Sequence, residues 1–219
     1  MSVVTIERKV LEKNDALAAG NRDALTRLGI FAINLVSSPG AGKTSLLERT
    51  IEHLRATVRI AVVEGDVQTD LDAQRVARYG VPVVQIVTNG GCHLEARLVQ
   101  DALARLDLHA ADLLVIENVG NLVCPANFDL GEAMKVVVLS TTEGDDKPLK
   151  YPAMFQRASV LVINKIDLVP YTDADVAAIR HNALSVNPDL TIFETSCRTG
   201  AGIPEWAGWL ASHVRSSRD

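Results

Sequence analysis

The sequence is poor in aromatic residues and in cysteine, and it holds no long apolar run. Aromatics make up 4% of the 219 residues against 47% hydrophobic overall, so the core must be filled by Val, Leu, Ile and Ala. Three cysteines, Cys92, Cys124 and Cys197, are too few for a disulfide framework. In a reducing compartment they read as thiols, metal ligands or packing residues. No stretch reaches the ~20 apolar residues of a membrane span, and the early residues, Glu7, Glu12 and Asp15 among them, lack a secretory apolar segment. These absences point to a cytoplasmic protein with no membrane partner. Positive charge is scarce too: 22 Lys and Arg against 27 Asp and Glu give a net charge of −5, with no basic stripe. A nucleic-acid partner, which needs clustered Lys and Arg, is therefore disfavoured. Nucleotides are not excluded, because local backbone amides can hold them.

What is present is organised around Ser37-Ser38-Pro39-Gly40-Ala41-Gly42-Lys43-Thr44. An apolar run over 30–36 enters this stretch, and Ser45 to Arg49 leave it with helical character. Strand, tight loop and helix are the setting in which a phosphate-binding loop is credible, although the pattern asks for Gly at position 37 and finds Ser. Successive backbone N–H groups would face phosphate oxygens. Gly40, Ala41 and Gly42 bring the backbone close; Lys43 would reach the β- and γ-phosphates; Thr44 would be a Mg²⁺ ligand and Ser45 would continue the cradle.

Continuous apolar strands then alternate with helices. Strands are expected at 58–63, 83–87, 113–116, 135–139, 160–163 and 190–193, and helices at roughly 71–79, 92–106 and 173–184, with a last one after Ile203. This rhythm predicts an α/β fold of the P-loop NTPase kind: a mostly parallel sheet with helices on both faces. Residues 1–29 form a helical arm, with 5–28 read as helix, and 30–219 a single nucleotide-binding domain. Ligands belong at the carboxyl ends of the strands.

The polar motifs fall there. Asn164-Lys165-Ile166-Asp167 follows a buried strand, and this N-K-x-D pattern reads guanine. Asp167 can accept from the guanine N1–H and exocyclic amine; adenine would leave it unmatched, at a cost of about 1–3 kcal/mol. Lys165 would lay its stem along the base, and Asn164 would reach the N7 side or brace the phosphate loop. Ser196-Cys197-Arg198 stands where a small-residue loop would touch the guanine O6, with Cys197 as its small middle residue. Glu117 and Asp66 each close a strand, in position to meet Mg²⁺ directly or through water. Lys43, Asp66 and Glu117 are thus the candidate catalytic residues. No arginine finger is evident, so hydrolysis of GTP to GDP should be slow.

Cys92-His93 follows Gly90-Gly91 at the expected start of a helix, where the dipole would stabilise a thiolate. Cys124 lies seven residues beyond Glu117. Two thiols and an imidazole suit Ni²⁺ or Zn²⁺, but three ligands leave a four-coordinate metal incomplete, and the residues alone leave ligand and packing roles open.

Taken in order, the 37–44 loop, Glu64-Gly65-Asp66, Gly90-Gly91-Cys92-His93, the stretch 117–125 and Asn164–Asp167 resemble the HypB family, SIMIBI-class GTPases of nickel insertion into [NiFe]-hydrogenase. The likeness runs over residues 30–215, and the Ser at position 37 fits it. It implies a GTP-dependent homodimer, a Cys-His-Cys metal site carried over to Cys92, His93 and Cys124, a HypA-like nickel metallochaperone as partner and, through it, the hydrogenase large subunit. Residues 1–30 contain neither Cys nor His, so the tight N-terminal nickel site and the histidine-rich store of some members are not implied. Competing readings are a urease-type nickel-insertion GTPase, a metal carrier in which nucleotide is only structural, and a small-molecule kinase, which lacks an obvious acceptor pocket.

Overall fold

A computed structural model describes residues 6–217, with side chains from residue 10 onward. Among the described residues, seven strands form one sheet: β1 (Phe31–Ser37), β2 (Ile60–Asp66), β3 (Val83–Val87), β4 (Leu113–Glu117), β5 (Met134–Ser140), β6 (Val160–Asn164) and β7 (Thr191–Glu194). Their order is β3-β2-β4-β1-β5-β6-β7 and every pairing is parallel. The chain moves outward from β1 in one direction through β2 and β3, then returns and continues the other way. That reversal opens a crevice at the carboxyl end of β1, where doubly wound sheets bind ligands.

Period-two alternation sends successive side chains to opposite faces. Ile33, Leu35, Val136 and Val138 point to a cluster shared with Leu46, Leu47 and Ile51 of α2 (Lys43–Leu54), Val76 of α3 (Leu71–Ala77) and Trp206 and Leu210 of α8 (Ile203–Ser216). Ala32 and Val63 face Leu25 of α1 (Ile6–Arg27) and Val99 of α4 (Ala96–Leu103). Val137 and Leu139 face Met154 and Phe155 of α6 (Pro152–Arg157) and Ile179 of α7 (Val176–Val186), with α5 (Lys147–Lys150) beside α7. The core is aliphatic as composition predicts, and each buried Leu or Ile stabilises the fold by roughly 1.5–3 kcal/mol. Trp206 is the largest exception, and its indole N–H donates to the Thr50 hydroxyl at 2.9 Å.

The expected helix over 5–28 is α1; residue 5 and the packing of Ile6 lie outside the described residues. The helix lies on α4 and is fixed by side-chain amides. Asn14 accepts from the Ala96 N–H at 2.9 Å, and Asn21 donates to the carbonyls of Ala96 and Leu130. No described helix is long and apolar enough to cross a membrane.

The structure adds α5 and α6, which the sequence reading does not expect, and extends β2 to Asp66; the departure that bears on the site is at α4. The helix expected over 92–106 begins only at Ala96 and ends at Leu103. Leu94 and Ala96 give their N–H groups to the side chains of Asn118 and Asn14, and Glu95 is extended at φ −111° and ψ 155°. Cys92 and His93 therefore lie ahead of the helix, and the helix N-terminus expected to stabilise a thiolate at Cys92 stands four residues further on, at Ala96.

Candidate functional site

The loop between β1 and α2 has the geometry of an anion cradle. Gly40 and Gly42 have φ of 78° and 101°, in the left-handed region where glycine is at ease. At Gly42 a side chain is doubly excluded, since a Cβ would stand 2.6 Å from the Asn164 amide nitrogen. Lys43, Thr44 and Ser45 form the first turn of α2, whose N–H groups face a cavity of about 520 Å³. The Lys43 ammonium lies against the Ser37 hydroxyl at 3.0 Å, and Thr44 donates to Glu117 at 2.8 Å.

The far wall of this cavity is carboxylate. Glu64 and Glu117 are register partners on β2 and β4, so they stand side by side, each 2% exposed. Asp72, from the first turn of α3, brings a third carboxylate; ligand oxygens of the three lie within 4.8 Å of one another. Burial, and then the neighbouring Glu117, push Glu64 up to about 11; burial raises Glu117 as well, against the pull of Lys43. One buried oxygen on Glu64 and one on Glu117 lack a hydrogen-bond partner among the described residues. Such orphaned acceptors in low dielectric are costly, and a hard divalent cation is the ligand that satisfies them.

Asp66 stands elsewhere. It sits at the cavity rim, two residues beyond the Glu64–Glu117 register, and accepts from the Gln68 and Thr69 amides at 2.9 and 3.1 Å. Burial opposes its ionisation, but those amides outweigh it and hold its pKa below the usual value. Glu64 and Asp72 are the residues that sequence reasoning missed. Glu64 carried no local signal, because only the pairing of β2 with β4 sets it beside Glu117; Asp72 carried none either, because its position depends on how α3 folds back.

A second cavity of about 460 Å³ adjoins the first and shares Gly42, Ser45 and Lys165 with it. Asn164 donates to the Ala41 carbonyl at 3.1 Å, bracing the phosphate loop. Lys165, at φ 63°, spans the loop and donates to the Gly40 carbonyl at 2.6 Å. Asp167 accepts from the buried Ser196 hydroxyl at 2.6 Å. The carbonyl of Cys197 accepts from Arg49 at 2.8 Å, burial pushes its thiol up to about 11, and Arg198 is exposed at the rim. The strands thus gather the N-K-x-D segment and the 196–198 loop around one opening.

Cys92, His93 and Cys124, which line neither cavity, converge with ligand atoms within 4.8 Å of one another. The sulfurs are 2.8 Å apart, and His93 Nδ1 is 3.6 Å from the Cys92 sulfur. The hydrogen bond to Cys124, with some burial, raises the Cys92 thiol, and burial lowers His93, which favours the neutral imidazole that ligates metals. Phe128 lies against the His93 ring at 4.0 Å between centroids, and the buried His93 Nε2 has no partner among the described residues. The loop from Glu117 to Cys124 touches both sites. A Cβ at Gly120 would come within 3.1 Å of Pro39 in the phosphate loop, and Asn121 donates to the Cys92 carbonyl at 3.2 Å.

The family model described as the CobW/HypB/UreG nucleotide-binding domain matches residues 31–194. The hydrogenase maturation factor HypB of Azotobacter vinelandii is 56% identical over 208 residues, covering 95% of this chain and 69% of its own. The HypB of Helicobacter pylori, solved in complex with nickel, superposes with a TM-score of 0.89 at 38% identity, covering 94% of this chain and 97% of its own. The HypB of Archaeoglobus fulgidus gives 0.87 at 42% identity, with 93% and 99% covered.

Proposed function

The chain belongs to the CobW/HypB/UreG family, among the HypB hydrogenase maturation factors, and from that premise we propose that it is a GTPase whose nucleotide cycle controls nickel delivery to [NiFe]-hydrogenase. The observation that carries this reading is the single loop with Glu117 in the nucleotide cavity at one end and Cys124 beside Cys92 and His93 at the other.

Asp167 accepts from the guanine N1–H and amine, Ser196 holds that carboxylate in place, and Lys165 covers the base. The α2 amides receive the phosphates, and Lys43 leaves Ser37 for the β- and γ-oxygens. Thr44, Glu64, Asp72 and Glu117 would hold Mg²⁺, with Asp66 reaching it through water. Mg²⁺ supplies neutralisation of phosphate charge there. Arg75 lines the nucleotide cavity but is paired with Glu48 and Asp72; held there, it leaves the transferring group without an arginine, and turnover is slow.

Nickel is cargo in this reading, and Zn²⁺ suits the same donors. Cys92, His93 and Cys124 supply three ligands, and water or a second subunit completes the set; a GTP-favoured homodimer brings two sets together. The remaining partners, a HypA-like metallochaperone and through it the hydrogenase large subunit, belong to the cytoplasm. The test combines turnover and titration. Purified protein should hydrolyse GTP in preference to ATP, and Ni²⁺ affinity should fall in Cys92→Ala, His93→Ala and Cys124→Ala. Equal use of ATP, or undiminished metal binding in all three variants, would overturn it.

A further inference from the structure

The geometry points to Leu94 and Asn118 as the positioning residues through which the nucleotide cavity sets the arrangement of the Cys92–His93–Cys124 set. This rests on the nucleotide-controlled metal delivery above and names the contacts that would transmit it.

Leu94 directly follows His93 and is fully buried. Two strands grip it. Its N–H donates at 3.1 Å to the side-chain oxygen of Asn118, the residue after Glu117. Its side chain lies over Gly65, between Glu64 and Asp66, so closely that a Cβ there would stand 2.8–2.9 Å from three Leu94 carbons. Gly65 is outside the left-handed region, so Leu94 rather than a turn is what demands glycine at this position. The residue beside a metal ligand is therefore seated on the two strand ends that carry the buried carboxylates of the cavity.

The Asn118 amide has only one orientation. The Leu94 N–H must find an acceptor, which turns the amide nitrogen toward the Asn34 oxygen at 3.2 Å. Asn34 donates in turn to Glu132 at 3.2 Å, Glu132 pairs with Lys135, and Lys135 donates to the Phe128 carbonyl at 3.0 Å. Phe128 is the ring packed on His93. The network thus reaches His93 from both sides, through the backbone of Leu94 and through the ring that covers the imidazole. Asn34 and Asn118 are at most 1% exposed. A buried amide that loses its partner finds no water to replace it, so displacement of the β4 end on filling the cavity moves Leu94 and does not simply break the bond. Close packing at Gly65 carries displacement of the β2 end to the same residue.

The test is a Ni²⁺ titration of the full chain, followed by thiolate-to-metal charge-transfer absorbance, with GDP and with a non-hydrolysable GTP analogue. The wild type should show a ratio of the two metal affinities within the ordinary coupling range of roughly 5- to 150-fold. Asn118→Ala should bring that ratio to within about twofold of unity. Asn34→Ala cuts only the branch that runs toward Phe128, spares the Leu94 contact, and should keep most of the ratio. Gly65→Ala displaces Leu94 without touching a polar group; it should reduce the ratio and shift the charge-transfer band, and it supplies the test if Asn118→Ala does not fold. A wild-type ratio that survives in Asn118→Ala or Gly65→Ala overturns this inference alone, as does equal loss in Asn34→Ala. A wild-type ratio of unity overturns nucleotide-controlled delivery and this inference together.

Discussion

The two halves of the nucleotide site are built on opposite plans. At the base end the polar groups are satisfied before anything binds. Asp167 holds Ser196, Asn164 holds the Ala41 carbonyl, and Lys165 holds the Gly40 carbonyl. At the phosphate end Glu64 and Glu117 each keep a buried oxygen without a partner among the described residues, and Lys43 rests on a serine hydroxyl. The first arrangement recognises a ligand with little rearrangement. The second changes its charge and its hydrogen bonds when phosphate and cation arrive. In the proposed cycle the signal of nucleotide state originates at the phosphate end, where the Glu117–Cys124 loop begins.

Four perturbations test this contrast. The largest effect is expected from Lys43→Ala, which removes the mobile charge of the phosphate end; GTP turnover should fall on the order of 10²–10³-fold, read as phosphate release by purified protein. Asp167→Asn attacks the base end. GTP affinity should fall by a factor equivalent to about 1–3 kcal/mol, while affinity for xanthosine triphosphate rises, because xanthine has a carbonyl where guanine has its amine; competition binding measures both.

A pH titration sharpens the contrast further. The folded protein keeps a proton on the Glu64–Glu117 pair that the unfolded chain loses above the ordinary glutamate value of 4.5. The native state then binds more protons than the unfolded one, so stability present at low pH is lost as pH rises from 4.5 toward 11. Thermal melts of metal- and nucleotide-free protein should show this decline, about 1.4 kcal/mol per pH unit for each proton the pair retains. Glu64→Gln should flatten it. The smallest effect is expected from Ser196→Ala, which frees Asp167 of one hydrogen bond; GTP affinity should drop by about 0.5–1.5 kcal/mol with turnover at saturation unchanged, as steady-state kinetics would show.

Much of this was legible in the sequence where a function is carried by consecutive residues. The 37–44 loop and Asn164–Asp167 lie at strand ends around adjoining cavities, as their local strand, turn and spacing predict. The strands at 83–87 and 113–116 lie where apolar runs place them. The order of strands in the sheet was not legible, since it depends on which edges meet. Glu64 was hidden for a related reason. It sits two residues before the more conspicuous Asp66, and only the pairing of β2 with β4 shows which of the two stands beside Glu117. The start of α4 was misjudged because periodicity continues through Cys92 and His93, while two distant asparagines, Asn14 and Asn118, take the N–H groups of Ala96 and Leu94. Residue types at Cys92, His93 and Cys124 suggested a metal set; their convergence from separate loops is a property of the fold.

The central claim is that one loop couples two ligands, and linkage makes it testable from the side opposite to metal titration. The affinity for a non-hydrolysable GTP analogue, relative to GDP, should be measured with and without saturating Ni²⁺. The account predicts that Ni²⁺ changes this preference by the same factor by which nucleotide changes Ni²⁺ affinity, and that Cys124→Ala removes the change. A preference unaltered by Ni²⁺ would contradict it.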